Sequence, residues 1–290
     1  MSENDRTFTI RRILVALDAS PHSMAALAAA VELAARLEAE LLGLFVEDVE
    51  LLRLADSPYA RELLYPLATE APLNRASMES KLRAQSEQAR QALAAAAKHS
   101  QVRWSFRTVR GEVASEVLAA ATEVDLLAMG NLGWSFGTQF RMGSTALQIA
   151  TGTTPVLLLS EHGMPPDVQP VVYYDASPAA KRGLLAAAEL AKRGTKILTV
   201  LLATADQDDA LTMREGVNAL LEGKNIEVRY RQIDPQDEVS LLRALKRERP
   251  GVLVFGGREL LKKLQPLEEL LRETEMALLL LGDAEEPEAK

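Results

Sequence analysis

The hydrophobic and polar positions along the chain form two kinds of segment that alternate. Short, almost continuous apolar runs, such as Arg12–Leu17 and Pro155–Leu159, are typical of strands that are buried on both faces of a sheet. The longer segments between them, such as Pro21–Leu37, repeat apolar residues every three or four positions, which predicts amphipathic helices. This alternation predicts an α/β fold, in which helices cover both faces of a parallel sheet.

The pattern predicts five strands in each half of the chain, and therefore two doubly wound five-stranded parallel-sheet domains. The predicted strands of the first half are Arg12–Leu17, Glu40–Val46, Val102–Val109, Leu126–Met129 and Pro155–Leu159. Those of the second half are Pro170–Tyr174, Lys196–Leu202, Glu227–Ile233, Val252–Phe255 and Ala277–Leu281. The predicted helices are Pro21–Leu37, Ser77–His99, Val113–Thr122, Ser144–Thr151, Pro178–Lys192, Asp206–Glu222, Val239–Glu248 and Pro266–Thr274.

An internal duplication supports this division. The segment ILVALDASP at Ile13–Pro21 is matched by PVVYYDASP at Pro170–Pro178, and the helices that follow match in the same register. A Gly- and Pro-containing stretch, His162–Gln169, separates the two copies. We therefore expect one domain at 1–162 and a second at 168–290.

The first domain carries an insertion that the second lacks, at about 47–76, between its second strand and its second helix. The insertion contains several leucines and three prolines. Three interpretations remain open: a lid over a binding site, a contact surface for another subunit, or a surface segment packed on its own domain.

Composition and charge exclude several classes of function. The 290 residues include no cysteine, so disulfides, thiolate metal sites and cysteine nucleophiles are excluded. The net charge of −8 argues against nucleic acid or an anionic membrane as a partner. The three histidines lack the spacing of a zinc site. Without a signal peptide or an apolar run long enough to insert into a membrane, the expected location is the cytoplasm.

The loop after the first strand, Asp18-Ala19-Ser20-Pro21, lies where ligands bind in open parallel sheets, beyond the carboxyl ends of the strands. Capping alone would explain it, because Asp18 or Ser20 can accept a helix N–H and Pro21 suits the first helical position. Alternatively, the Asp18 carboxylate accepts a hydrogen bond from a ligand. His22 is interpreted as a solvated residue of the first helical turn.

A glycine-rich loop follows the fourth strand. Gly130 and Gly133 are followed nine residues later by Gly143 and Ser144, which opens the next predicted helix. Glycines let backbone N–H groups approach an anion closely, and a helix N-terminus also favours one. The loop matches neither the Walker A motif nor the Rossmann fingerprint.

With this spacing, Gly130-x2-Gly133-x9-Gly143-Ser144, the chain resembles the universal stress protein family. ILVALDAS at the start, Val124–Gly130 and the strand Thr154–Leu158 carry the same resemblance. It extends over both halves, which is the tandem form of the family, and it implies a Rossmann-like fold of the adenine-nucleotide α-hydrolase type.

The resemblance also implies a site for ATP or a related adenine nucleotide in the first domain, with Mg²⁺ held through the phosphates. The residues implied to contact the base lie at the ends of the first two strands; they are Ala16, Leu17, Asp18 and Val46. Those implied for the ribose and phosphates are Met129, Gly130, Leu132, Gly133, Gly143, Ser144, Thr145 and Ala146. The chain departs from some members at Ala146, which has no hydroxyl, and at its apolar loop tip, Trp134-Ser135-Phe136.

The second half has lost this loop. Aligned on the final strand, Gln265 and Pro266 stand where the first half has Gly143 and Ser144; aligned on Gly130 and Gly256, Glu259 replaces Gly133. Proline has no N–H to donate, and a carboxylate repels a phosphate. We therefore expect the second half to bind no nucleotide in this manner and to serve a structural or interaction role.

Three hypotheses for function follow. The first is a stress-response or regulatory protein that binds an adenine nucleotide in its first domain. The second is a scaffold or interaction module that binds a protein partner without nucleotide. The third is an enzyme, a slow ATPase or autophosphorylating protein, although the sequence offers no catalytic residue. The family resemblance suggests a homodimer, which the tandem chain could replace with an internal pseudo-dimer.

Overall fold

A computed structural model describes residues 9–57, 59–64, 69–130, 154–159, 169–257 and 276–282. The strands, in chain order, are β1 Arg12–Leu17, β2 Glu40–Asp48, β3 Arg61–Leu64, β4 Thr69–Pro72, β5 Trp104–Gly111, β6 Leu126–Gly130, β7 Val156–Leu159, β8 Pro170–Tyr174, β9 Ile197–Ala203, β10 Glu227–Ile233, β11 Val252–Gly256 and β12 Ala277–Leu281. The helices are α1 Pro21–Leu37, α2 Val49–Ala55, α3 Arg75–His99, α4 Val113–Ala121, α5 Pro178–Arg193, α6 Gln207–Leu221 and α7 Glu238–Glu248.

The ten strands predicted from the pattern are all present, and they form one sheet. The strand order is β10-β9-β8-β11-β12-β7-β6-β1-β2-β5. Each half contributes five parallel strands, and in each half the first strand lies between the second and the fourth. The α/β fold class with parallel strands is confirmed. The predicted helices at 144–151 and 266–274 lie outside the described residues.

The two sets of strands join through their last members. β7 and β12 pair antiparallel, with Leu157 opposite Leu279 and Leu158 opposite Leu278. We call this pair the seam. Because each set is parallel and the seam is antiparallel, the carboxyl ends of the two sets lie at opposite edges of the sheet. The chain's final apolar strand is thus buried by pairing with an equivalent strand of the same chain.

Helices cover both faces of the sheet, as expected for a doubly wound fold. On one face α1, α3, α5 and α6 bury residues such as Leu27, Leu93 and Leu184 against the strands. On the other, α4 and α7 bury Val117 and Leu245. Burial of one such side chain contributes about 1.5–3 kcal/mol. In the part of the chain that the structure describes, no helix is long and apolar enough to cross a membrane.

The helices after β1 and β8 begin in the same way. The Ser20 hydroxyl accepts the N–H of Ser23 at 3.2 Å, and the Ser177 hydroxyl accepts the N–H of Ala180 at 3.1 Å. A proline is the first residue of each helix. Each serine cap contributes about 1 kcal/mol. The capping interpretation of Ser20 is therefore confirmed, and Ser177 caps the equivalent helix in the same way.

The insertion at 47–76 contains α2 and the two-stranded antiparallel hairpin of β3 and β4. Asp48 caps α2 by accepting the N–H of Glu50 at 2.8 Å. Leu52 of α2 is buried in the core of its own half, whereas Leu54 and Tyr59 are 54% and 90% exposed. The insertion thus packs on its own half through one side of α2.

Candidate functional site

Three adjacent strands of the first half end together at one edge of the sheet. Val15 of β1 lies opposite Ala128 of β6, so that Ala16 and Met129 follow side by side. Ala16, Val46 of β2 and Met129 lie on the same face, where they pack on the α4 side of the core. We call these three residues the apolar floor. Ala16 and Val46 are partly exposed, so the floor is accessible to a flat apolar ligand.

The β1–α1 loop places a carboxylate beside the floor. Asp18 is half-buried, and its Oδ1 accepts the N–H of Ser20 at 2.9 Å. Ala19, between them, has the left-handed φ of 61°. The Ser23 hydroxyl approaches the Asp18 N–H at 3.4 Å. Among the described residues Oδ2 accepts no hydrogen bond, so it is available to a ligand's N–H or O–H group.

Two other predicted site residues have positions that limit what they can do. Leu17 is buried on the opposite face from the floor, so its side chain belongs to the core and only its backbone can reach a ligand. Gly130 ends β6, where the strand passes α1 closely. A Cβ on Gly130 would lie 3.2 Å from the backbone oxygen of His22.

The second half has aromatic side chains at the positions of the floor. Tyr173 of β8 corresponds to Ala16, and Phe255 of β11 corresponds to Met129. Their ring centroids are 5.5 Å apart, and the residues are 4% and 0% exposed. Burial raises the pKa of the Tyr173 phenol to about 12. We call these two residues the ring pair; its side chains stand where the first half has the smaller or non-aromatic side chains of Ala16 and Met129.

The loop after β8 nevertheless has the same geometry as the loop after β1. Asp175 Oδ1 accepts the N–H of Ser177 at 3.0 Å, and Ala176 has a φ of 63°. The Asp-Ala-Ser turn therefore forms whether or not the adjacent floor is open. It shapes the start of a helix in both halves and does not by itself distinguish a ligand site.

Gly256, which corresponds to Gly130, is required by packing. A Cβ at Gly256 would lie 2.2 Å from the backbone carbon and oxygen of Ala179, so no larger residue fits without movement of the helix. The persistence of this glycine in the second half thus has a structural cause and is no sign of a second phosphate loop.

A chain of ion pairs surrounds the end of β2. Arg110 Nη2 of β5 lies 2.7 Å from the Glu47 carboxylate, and its Nη1 lies 3.5 Å from Glu79 of α3. The hydrogen bond to Glu47 raises the pKa of Arg110. Arg75 connects Glu79 at 3.4 Å to Asp56 of the insertion at 2.6 Å. These partly exposed pairs contribute little stability individually, but together they connect the insertion to β5 and α3.

The remaining predicted site residues lie outside the described residues; they are Leu132, Gly133, Gly143, Ser144, Thr145 and Ala146. So do the residues of the second half that replace the loop, Glu259, Gln265 and Pro266. Across the described ranges, no cluster of His, Asp or Glu side chains could hold a metal ion.

The ring pair was missed by sequence reasoning. Tyr173 and Phe255 were interpreted only as parts of apolar strands, although their alignment with Ala16 and Met129 was visible in the duplication. Comparing side-chain size at the ends of the duplicated strands could have found the difference.

The sheet order and the helices on both faces define a doubly wound α/β protein. Residues 9–160, just over half of the chain, match the universal stress protein family, and the chain belongs to this family. A comparison with curated protein sequences gave no match.

Solved structures with the same fold include two that extend along almost the whole chain. A universal stress protein from Archaeoglobus fulgidus is 15% identical, with a TM-score of 0.71, and the match covers 94% of this chain and 98% of that one. A functionally unknown protein, PA1789 from Pseudomonas aeruginosa, is 13% identical, with a TM-score of 0.56 and coverage of 97% and 95%. A universal stress protein in complex with cAMP matches 53% of this chain and 98% of its own, at 21% identity and a TM-score of 0.36.

Proposed function

We propose that this protein is a tandem universal stress protein that binds ATP or a related adenine nucleotide in its first domain, at 1–162. Its second domain, at 168–290, is structural or interaction-forming, and it replaces the second subunit of a dimer. The protein acts in stress response as a nucleotide-dependent regulator. The single observation that carries the proposal is the partly exposed apolar floor beside Asp18, whose place the buried ring pair takes in the second half.

The floor and the carboxylate together fit the base of an adenine nucleotide. Ala16, Val46 and Met129 offer apolar contact to a flat ring, and Asp18 Oδ2 offers an acceptor to an amino or hydroxyl group. Leu17 contributes its backbone.

In this proposal the ribose and phosphates extend from Gly130 along the loop. Gly133, Gly143 and Ser144 supply backbone N–H and hydroxyl groups, with Leu132, Thr145 and Ala146 beside them. Mg²⁺ binds mainly through phosphate oxygens, as is usual for this ion.

Calorimetry with ATP and Mg²⁺ tests the proposal, on the intact protein and on a Gly133→Glu, Gly143→Gln variant. These changes copy the residues of the second half into the first. We expect one site per chain in the intact protein and at least about a hundredfold weaker binding in the variant, because the glutamate repels phosphate and the glutamine occupies its space.

Gly216→Glu is the matched control, because it adds the same charge on the exposed side of α6, where a Cβ meets only the Tyr174 hydroxyl at 3.9 Å. This control should bind ATP like the intact protein. If the intact protein binds no nucleotide and releases none on denaturation, the proposal is wrong and a scaffold without nucleotide becomes the better hypothesis. Steady ATP turnover that disappears in the loop variant would instead favour the slow ATPase.

A further inference from the structure

His22 has a buried polar atom that the fold does not use. It is the second residue of α1, and its ring Nδ1 is buried without a hydrogen-bond partner among the described residues. Burying an imidazole nitrogen without a partner is unfavourable, because the nitrogen loses its hydrogen bond to water. The sequence interpretation of His22 as a merely solvated first-turn residue is therefore wrong for this nitrogen.

The position of His22 places the imidazole where the glycine-rich loop leaves the sheet. A Cβ on Gly130 would lie 3.3 Å from the Cβ of His22, so the histidine side chain starts beside the last residue of β6. Gly130 is the first residue of the proposed phosphate loop, and Asp18 precedes α1 on the same side of the sheet.

The second half shows that packing does not require the ring. Ala179 of α5 corresponds to His22, and it lies against Gly256 as His22 lies against Gly130. A methyl group therefore suffices where strand and helix meet, and the approach at Gly256 is even closer. The second half, which has the ring pair in place of the floor, also lacks the imidazole.

We propose that His22 is a further nucleotide-binding residue, whose Nδ1–H donates a hydrogen bond to a phosphate oxygen of the ligand. This inference rests on the proposed function. An imidazole can carry its proton on Nδ1, and a phosphate oxygen accepts such a bond. Binding would then give the buried nitrogen the partner that it lacks among the described residues.

Three substitutions of His22 test which of its two ring nitrogens donates the hydrogen bond to the phosphate. The amide nitrogen of asparagine is as many bonds from Cβ as Nδ1 is, whereas that of glutamine matches Nε2. We expect His22→Ala and His22→Gln to weaken ATP binding about tenfold in calorimetry, and His22→Asn to stay within about threefold of the intact protein. Adenosine, which has no phosphate, should bind all variants with unchanged affinity.

His99→Ala is the control for the loss of a histidine, because His99 is exposed and is the last residue of α3. Far-UV circular dichroism and thermal melting check that each variant folds.

The inference is overturned if His22→Ala binds ATP like the intact protein, if glutamine restores affinity and asparagine does not, or if adenosine binding falls in parallel. Those results leave the nucleotide site itself standing. If the intact protein binds neither ATP nor adenosine, the proposed function and this inference both fail.

Discussion

The two halves of the sheet have the same strand order and the same Asp-Ala-Ser turn, but they differ where the strands end. In the first half the floor is partly exposed at Ala16 and Val46, whereas in the second half the rings of Tyr173 and Phe255 pack together at the positions of Ala16 and Met129. His22 lies against Gly130 in the first half, and Ala179 lies against Gly256 at the corresponding place in the second. The features that both halves keep are those that fold the chain, such as the serine caps and the glycine at the end of the fourth strand.

This comparison separates residues with a structural role from those that we propose to bind the ligand. Asp175 and Gly256 are present in the second half, which has the ring pair in place of the floor. The turn and the close strand-helix contact therefore have structural causes. The floor, the imidazole and the loop glycines are the features that only the first half has. They are therefore the positions at which substitution should change binding more than stability.

Copying the ring pair into the first half should have the largest effect. We expect Ala16→Tyr with Met129→Phe to weaken ATP binding by about 4 kcal/mol, roughly a thousandfold, because the rings occupy the place of the base. Calorimetry measures the affinity. Ala28→Tyr, on the exposed side of α1, is the control for an added tyrosine. Unchanged affinity in the double variant would show that the base does not lie on the floor.

Removing one ring from the second half should destabilise the protein without creating a site. Tyr173→Ala leaves a cavity beside Phe255 and should lower the free energy of unfolding by about 3 kcal/mol. Tyr230→Ala, on the edge strand β10, should lower it by about 1 kcal/mol. Urea unfolding measures both. A second ATP site in Tyr173→Ala would contradict our explanation, since the second half also lacks the loop glycines.

The two equivalent glycines should respond unequally to the same substitution. At Gly256 the new methyl group overlaps the backbone of Ala179 at 2.2 Å, whereas at Gly130 its nearest neighbour is 3.2 Å away. We expect Gly256→Ala to lower the free energy of unfolding by about 2 kcal/mol more than Gly130→Ala does. Equal losses in urea unfolding would show that the two contacts are alike.

The smallest expected effect is on the alkaline titration of Tyr173, the tyrosine of the ring pair. Burial raises the pKa of Tyr173 from 10.0 to about 12, so the folded chain keeps the proton after the unfolded chain has released it. The stability that this group contributes is complete below pH 10 and is lost as the pH rises towards 12.

Phenolate absorbance, compared between the intact protein and Tyr173→Phe, should show a difference with its midpoint near pH 12. Tyr59→Phe is the control for loss of one phenol, because Tyr59 is 90% exposed. A difference midpoint near 10 would mean that the Tyr173 ring is not sequestered.

Much of the fold was predictable because buried parallel strands are nearly continuous apolar runs. The boundaries of β1 and β8 were predicted without error, while β2 continues to Asp48 because it pairs with β5 as far as Gly111. The strands β3 and β4 were missed, since each is only four residues long and lacks strand periodicity, with prolines at 66 and 72 close by.

The candidate site was predictable only in part. Ala16 and Val46 were placed at strand ends by family resemblance, and the structure brings them together on one face. Leu17 turned out to point into the core, because adjacent residues of a strand face opposite sides of a sheet. The seam was not predicted, since nothing in the apolar run Ala277–Leu281 specifies which other apolar strand it pairs with.

The seam has a consequence for how the molecule assembles. When two separate chains associate through their last strands, the fraction assembled depends on how much protein is present. Here both strands belong to one polypeptide, so their encounter is intramolecular and is governed by an effective concentration that the connecting segment sets. The ten-stranded sheet can therefore form at any expression level, even when only a few copies of the protein are present.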